Sequence, residues 1–319
     1  MRKVVVLSSE TKNSYLYEID ALKQIPDAEF IISPATAEDD VIEAIRDAEV
    51  VLFTATKINE RVINSLERCR LIIRYGIGYD NVDTVAAAKR GIFVCNAPNY
   101  GVTDVAEHAL SLIFATAKKT IPMHERAKSG LWGPGMPPFY RLAGKKIGFV
   151  GFGNIGRALC KMTNGLSMKP LVYDPFVSDG VIEEYGAEKM SLEEIFETSD
   201  FVSLHLPLND STRHSIGKDL FSRMKKSAIL INTSRGPIIN ETELIDALEG
   251  GFMAGVGLDV FEDETKPLDE RLTFNPCAVL TPHVAWNTDV AVTAIHEEVG
   301  DNVVRYLKGE RPHSIVNKL

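Results

Sequence analysis

The sequence predicts an α/β protein built from two doubly wound parallel sheets. Three observations predict it. Short β-branched runs alternate with helix-patterned stretches almost throughout the chain. The runs are apolar along their whole length, as strands covered on both faces are. And 319 residues exceed what a single core of ordinary size occupies.

In the first half the runs fall at residues 4–7, 30–32, 50–53, 71–73 and 92–95. In the second half they fall at 147–150, 171–173, 201–204, 228–231, 255–260 and 278–280. Between them, 40–47 and 241–250 carry apolar residues at helical steps. A longer helix is read over 102–119, where Ala106, Ala109, Leu110, Ile113 and Phe114 form one broad apolar stripe. It has no strand beside it, as expected of a helix that crosses between domains. Its apolar surface exceeds the need of one domain face, which predicts a homodimer through it. The Gly- and Pro-rich loop 130–138 precedes the next strand. A last helix, 288–308, has no strand after it in the second sheet and is expected to return to the first domain. The boundaries that follow are 1–99 with 288–319 for one domain and 100–287 for the other.

Hydrophobic residues make up 45% and charged residues 25%, which excludes a disordered or collagen-like chain. Lys and Arg number 35 against 44 Asp and Glu, a net charge of −9 that repels phosphate backbones and anionic lipid heads. Neither nucleic acid nor a membrane is therefore an expected partner. The apolar run after Met1-Arg2-Lys3 is too short for a secretory leader, and no segment approaches the ~20 apolar residues of a membrane span. Cys69, Cys95, Cys160 and Cys277 lie far apart without metal-ligand spacing, so a reducing, cytoplasmic setting and no metal site are expected.

The strongest local signal is Gly151-Phe152-Gly153-Asn154-Ile155-Gly156. An apolar run precedes it, and Ile155, Ala158, Leu159 and Met162 follow at helical spacing. Gly151 permits a tight turn, Gly153 lets backbone approach a diphosphate, and Gly156 lets helix and strand pack closely. The unpaired N–H groups of the helix start would face the diphosphate. Asp174 ends the next run, eighteen residues after Gly156. A carboxylate there accepts ribose hydroxyls and repels a 2′-phosphate, so NAD is the expected cofactor. Domain 100–287 is accordingly read as a Rossmann-type dinucleotide domain. A second loop, Tyr75-Gly76-Ile77-Gly78, lacks the third glycine and a strand-end acid. It is read either as a plain turn or as backbone that could hold a small anion such as a carboxylate.

Six motifs in order resemble the D-isomer-specific 2-hydroxyacid dehydrogenase family over nearly the whole chain. They are Gly76-Ile77-Gly78-Tyr79-Asp80-Asn81-Val82-Asp83, the glycine loop, Ser203-Leu204-His205-Leu206-Pro207-Leu208, Asn232-Thr233-Ser234-Arg235-Gly236, Leu258-Asp259-Val260-Phe261-Glu262-Asp263-Glu264, and Thr281-Pro282-His283-Val284-Ala285-Trp286. The resemblance implies a flavodoxin-like, discontinuous substrate domain and hydride transfer between nicotinamide and a small 2-oxo acid.

Such a reduction needs a proton for the carbonyl oxygen and a cation for the carboxylate. His283 is the natural proton donor, since an unperturbed histidine titrates near 6.5. Arg235, after an apolar run, offers a planar fork for carboxylate and carbonyl oxygens. Glu262, Asp263 and Glu264 compete as the acid beside His283; the family places its glutamate five residues after the motif's aspartate, which selects Glu264. By the same carry-over Asp259 would meet the nicotinamide amide. His205, Leu206, Pro207, Thr212, Thr233 and Ser234 would line the cofactor groove with Asn154 and Ile155, and His283 to Trp286 would sit at its nicotinamide end. Backbone N–H groups of Gly76 and Ile77 would meet the substrate carboxylate, with Tyr100 at the hinge. His108 and His296 lie in helical patterns and His124, His214 and His313 in polar segments, so no chemistry is assigned to them.

Trp286 is read either as a bulky wall for a compact substrate or as core packing. Pro282-His283-Val284-Ala285-Trp286 resembles glycerate dehydrogenases and hydroxypyruvate or glyoxylate reductases, which favours hydroxypyruvate or glyoxylate. Phosphoglycerate dehydrogenases share much of 54–83 but usually carry Arg where Phe53 stands; a D-lactate-type dehydrogenase is a further alternative. The family also includes NAD(H)-binding dimeric corepressors that act as scaffolds and keep the same three residues. Nothing in this sequence resembles a DNA-binding helix pair or basic patch.

Overall fold

The computed structural model of the chain describes residues 1–135 and 139–319, so Pro137 and Pro138 of the loop predicted at 130–138 lie outside the described residues. It contains two compact units, Met1–Gly101 with Asn287–Leu319, and Val102–Trp286.

The first unit carries β1 (Arg2–Leu7), β2 (Ala28–Ser33), β3 (Val50–Phe53), β4 (Leu71–Arg74) and β5 (Phe93–Cys95). All pair in parallel in the order β2-β1-β3-β4-β5. That is the flavodoxin-like arrangement the resemblance implies. Successive residues of each strand alternate between two cores. Val5, Leu7, Val51, Phe53 and Ile72 face one side, and Val4, Val6, Val50, Leu52, Leu71 and Ile73 face the other. Continuous apolar runs are the sequence expression of that two-sided burial. The helix Asp289–Leu307 belongs to this unit; Thr288 caps it by accepting the Ala291 N–H, and Ile295, Val299, Val303, Val304 and Leu307 join the second core. After it the chain continues alongside β5, where Val316 N–H donates to the Val94 carbonyl at 2.8 Å.

The second unit carries β6 (Lys146–Val150), β7 (Lys169–Tyr173), β8 (Glu188–Lys189), β9 (Phe201–Leu204), β10 (Ile229–Asn232), β11 (Gly255–Leu258) and β12 (Ala278–Leu280). Their order is β12-β11-β10-β9-β6-β7-β8, again all parallel. The order reverses between β6 and β9, the switch point at which open α/β sheets bind ligands. The register aligns the strand ends in one row: Tyr173, Val150, Leu204, Asn232, Leu258 and Leu280 are successive cross-strand partners. The residue after each of them is therefore delivered to one edge of the sheet. These are Asp174, Gly151, His205, Thr233, Asp259 and Thr281.

Each of the eleven predicted runs is a strand, with ends that match or differ by at most two residues. β8 was not predicted: its two residues are charged, exposed and on the sheet edge, and carry no apolar signal. β11 stops at Leu258 rather than 260, because Asp259 leaves the ladder to organise a turn.

The long helix runs Val102–Lys118. Ala106, Ala109, Leu112, Ile113 and Ala117 are buried with Ile147, Phe149, Ile229 and Ile231 in the unit's own core. Gly257 permits the close approach: a Cβ there would lie 3.0 Å from Leu112 Cβ. Ala106, Ala109 and Ile113 of the stripe are thus buried inside the unit, while Leu110 is partly buried and Phe114 is 37% exposed.

Candidate active site

The glycine corner separates the three roles expected of it. Gly151 has φ +92°, and a Cβ on it would lie 2.6 Å from the His205 carbonyl oxygen. A Cβ on Gly156 would lie 2.8 Å from the Gly151 carbonyl oxygen. Around Gly153 the same construction meets nothing within 4 Å, so that side of the turn is open. Gly153 is the N-cap of the helix Asn154–Gly165, and no side chain caps it. An uncapped helix start beside an open glycine is the cradle a diphosphate requires. Asp174 fastens this corner to the end of β7. One carboxylate oxygen accepts the Phe152 N–H at 2.8 Å and the other accepts the N–H groups of Phe176 and Val177 at 2.8 and 3.1 Å.

The rest of the expected cofactor groove follows the row of strand ends. His205 packs its ring on Phe149, and its Nε2 lies 2.9 Å from Ser203 Oγ. Burial depresses the imidazole to about 4, so the ring is neutral at physiological pH. Its side chain thus serves the core, while its carbonyl defines the glycine turn. Thr212 Oγ1 donates to the Pro207 carbonyl at 2.7 Å and clasps the turn after Leu206 and Pro207. Ser234 N–H and Oγ both bond Asn232 Oδ1, at 3.0 and 2.7 Å. Thr233 Oγ1 is buried without a hydrogen-bond partner, an orphaned polar atom that a ligand would satisfy.

At the β11–β12 end, His283 Nδ1 lies 2.7 Å from Glu264 Oε2. Burial opposes ionisation of Glu264. The His283 hydrogen bond and charge, the Phe261 N–H and the Arg235 charge outweigh it and hold the carboxyl below its ordinary value. An ionised carboxylate only accepts, so Nδ1 carries the hydrogen and Nε2 is the ring nitrogen left for proton transfer. The other two acids are committed elsewhere. Glu262 meets His214 Nε2 at 2.9 Å, and Asp263 pairs with Lys266 at 2.6 Å on the surface.

Arg235 stands two residues past Thr233 at the end of β10, its carbonyl held by Asn232 Nδ2 at 3.0 Å. What brings it beside the Glu264 segment is Gly236, present in the motif but given no role of its own from sequence. A Cβ there would fall 1.9 Å from the Phe261 carbonyl carbon, so only glycine lets these two loops touch. A glycine directly after a strand-end arginine was the available signal.

Asp259 has partners other than the one the resemblance implies. It is fully buried, and its oxygens accept from Thr281 Oγ1 at 2.6 Å, Val284 N–H at 3.0 Å and Ala285 N–H at 2.9 Å. It therefore holds the turn that presents His283; Trp286 follows, partly buried. In the first unit, Gly76 has φ +138°, and its carbonyl and that of Ile77 are held by Ala97 N–H and Asn96 Nδ2 at 3.0 and 2.7 Å. Tyr100 is partly buried there. Among the described residues no cluster of metal-ligating side chains is present, and no helix is long and apolar enough to cross a membrane.

Residues 110–285 match the family model described as D-isomer specific 2-hydroxyacid dehydrogenase, NAD binding domain. A glyoxylate reductase of Korarchaeum cryptofilum is 36% identical over 283 residues, covering 87% of this chain and 85% of that protein. A glycerate dehydrogenase of Methylorubrum extorquens is 31% identical and covers 99% of both chains. Among solved structures, a glyoxylate reductase from Paecilomyes thermophila superposes with TM-score 0.91 at 26% identity, covering 99% of this chain and 98% of that one.

Proposed function

The chain belongs to the D-isomer-specific 2-hydroxyacid dehydrogenase family and is an NAD-dependent enzyme, and on that premise we propose that it reduces hydroxypyruvate or glyoxylate to the corresponding hydroxy acid. The observation that carries the reading is the 2.7 Å His283–Glu264 contact with the Arg235 charge close enough to act on Glu264.

NADH, when bound, supplies the hydride. The chain does the rest. Arg235 grips the substrate carboxylate and polarises the carbonyl, its planar fork matching both oxygens. His283 Nε2–H gives its proton to the carbonyl oxygen as negative charge develops there, and in the oxidative direction takes it back. Glu264, held ionised, orients the ring through Nδ1 and stabilises the imidazolium form that donates. Gly151, Gly153, Asn154, Ile155 and Gly156 seat the diphosphate, and Asp174 keeps the corner closed while facing the adenosine ribose. Gly76, Ile77 and Tyr100 are assigned to substrate binding within the same proposal. The names of the glyoxylate reductase and glycerate dehydrogenase relatives support the substrate class. Four unpaired cysteines, three of them buried, are compatible with a reducing cytoplasmic setting.

Steady-state NADH oxidation against a panel of 2-oxo acids tests the reading. The highest kcat/KM is expected with hydroxypyruvate or glyoxylate. A preference for a phosphorylated or large branched acid overturns the substrate assignment, and absence of turnover with every acid overturns the reductase reading in favour of an NAD(H)-binding scaffold.

A further inference from the structure

We propose that His108 and Thr281 are positioning residues for His283, forming with Asp259 a hydrogen-bonded brace that ties the catalytic turn to the long helix. The inference rests on the reading of His283 as acid and base. His283 has φ +53°, a left-handed conformation that is unfavourable for a non-glycine residue and persists only when its surroundings enforce it.

The enforcement is visible. His283 N–H donates to the Asp259 carbonyl at 2.8 Å. The next two N–H groups, Val284 and Ala285, donate to one carboxylate oxygen of Asp259 each, at 3.0 and 2.9 Å. Thr281 Oγ1 donates to Asp259 Oδ1 at 2.6 Å. One buried carboxylate thus collects both flanks of His283.

His108 completes the chain from the other side. Its Nε2 lies 2.9 Å from Thr281 Oγ1. A hydroxyl has a single hydrogen, and that of Thr281 is committed to the carboxylate, so Thr281 must accept here and His108 Nε2–H must donate. The relay runs from His108 through Thr281 to Asp259. His108 stands on the helix Val102–Lys118, which packs into the core against β10 and β11, so the strained turn is anchored to a helix buried in the unit's core. Proton transfer depends on sub-ångström placement of the donor, and a loosened turn therefore lowers the chemical step rather than cofactor binding.

The test uses the full chain with five variants: Thr281→Val, Thr281→Ser, His108→Leu, His108→Gln and the double Thr281→Val/His108→Leu. Each is read by kcat and KM for the best 2-oxo acid, by NADH Kd from fluorescence, and by Tm. His283→Ala is run alongside. Thr281→Val and His108→Leu are expected to lower kcat at least tenfold with NADH Kd within threefold of wild type. Thr281→Ser and His108→Gln, which keep the hydroxyl and an N–H donor, are expected to retain at least a third of kcat. The double variant is expected within threefold of Thr281→Val, since both changes cut the same relay. The proposal is overturned if kcat stays within twofold in Thr281→Val and His108→Leu, if the two losses multiply, if Ser and Gln fail to rescue, or if only Kd and KM move. Should Thr281→Val not fold, the comparison of His108→Leu with His108→Gln decides alone. An active His283→Ala would overturn the acid–base reading itself, and the brace with it. An inactive His283→Ala beside unaffected brace variants would overturn the brace only.

Discussion

Glu264 and His283 meet through Oε2 and Nδ1 at 2.7 Å, across nineteen residues of chain. The carboxylate is held below its ordinary value, so the pair is intact above the ordinary carboxylate range and is lost only as pH falls through the lowered Glu264 value. Glu264→Gln removes the charge and keeps the shape. The expected result is a kcat for reduction lower by about ten- to a hundredfold. A kcat within threefold of wild type would deny Glu264 that role.

Gly153 and Gly151 are predicted to respond differently to the same substitution. Gly153→Ala meets no protein atom within 4 Å, so Tm should stay near wild type while NADH Kd rises about tenfold or more. Gly151→Ala forces a methyl group to 2.6 Å from the His205 carbonyl at φ +92° and should cost about 2–4 kcal/mol of stability. Thermal melts with and without NADH separate the two effects. Equal stability loss in both would contradict an open ligand side at Gly153.

Gly236→Ala tests how the arginine loop reaches the glutamate loop. The added methyl would fall 1.9 Å from the Phe261 carbonyl carbon, so the loops must part. A stability loss of about 2 kcal/mol or more is expected, with a kcat reduction of at least tenfold. A variant with wild-type melting and turnover would show that the two loops need not touch.

His205, depressed to about 4 by burial, binds its proton more readily in the unfolded chain, where it titrates near 6.5. Its contribution is fully present above about pH 6.5 and is lost as pH falls from there toward 4, up to about 2–3 kcal/mol. Urea melts at pH 7 and pH 4.5 should show a smaller acid loss in His205→Gln than in wild type. Identical acid losses would place the ring in water.

The strands were legible because burial on both faces leaves unbroken apolar runs, as in Val50–Phe53 and Phe201–Leu204, whose bounds match to the residue. Glu188–Lys189 was not, since an exposed two-residue edge strand is fixed by pairing with β7 alone. Glycine spacing and the acid after β7 announced the cofactor corner because each glycine answers a local backbone demand. The competition among Glu262, Asp263 and Glu264 is different in kind. It is settled by which side chain meets His283 in space, and their local sequence is uniformly acidic. The partners of Asp259 were equally hidden: a carboxylate that collects N–H groups 25 and 26 residues away leaves no periodic trace. The stripe of the long helix was legible as apolar, but sequence cannot tell that Ala106, Ala109 and Ile113 are buried in the unit's own core while Leu110 and Phe114 are not.

Single-turnover hydride transfer in His283→Ala tests the chemistry most directly. Enzyme preloaded with NADH is mixed with hydroxypyruvate or glyoxylate at neutral pH, and the loss of nicotinamide absorbance is followed. A rate at least a hundredfold below wild type with unchanged NADH affinity is predicted. A rate within threefold of wild type would place the proton donor elsewhere.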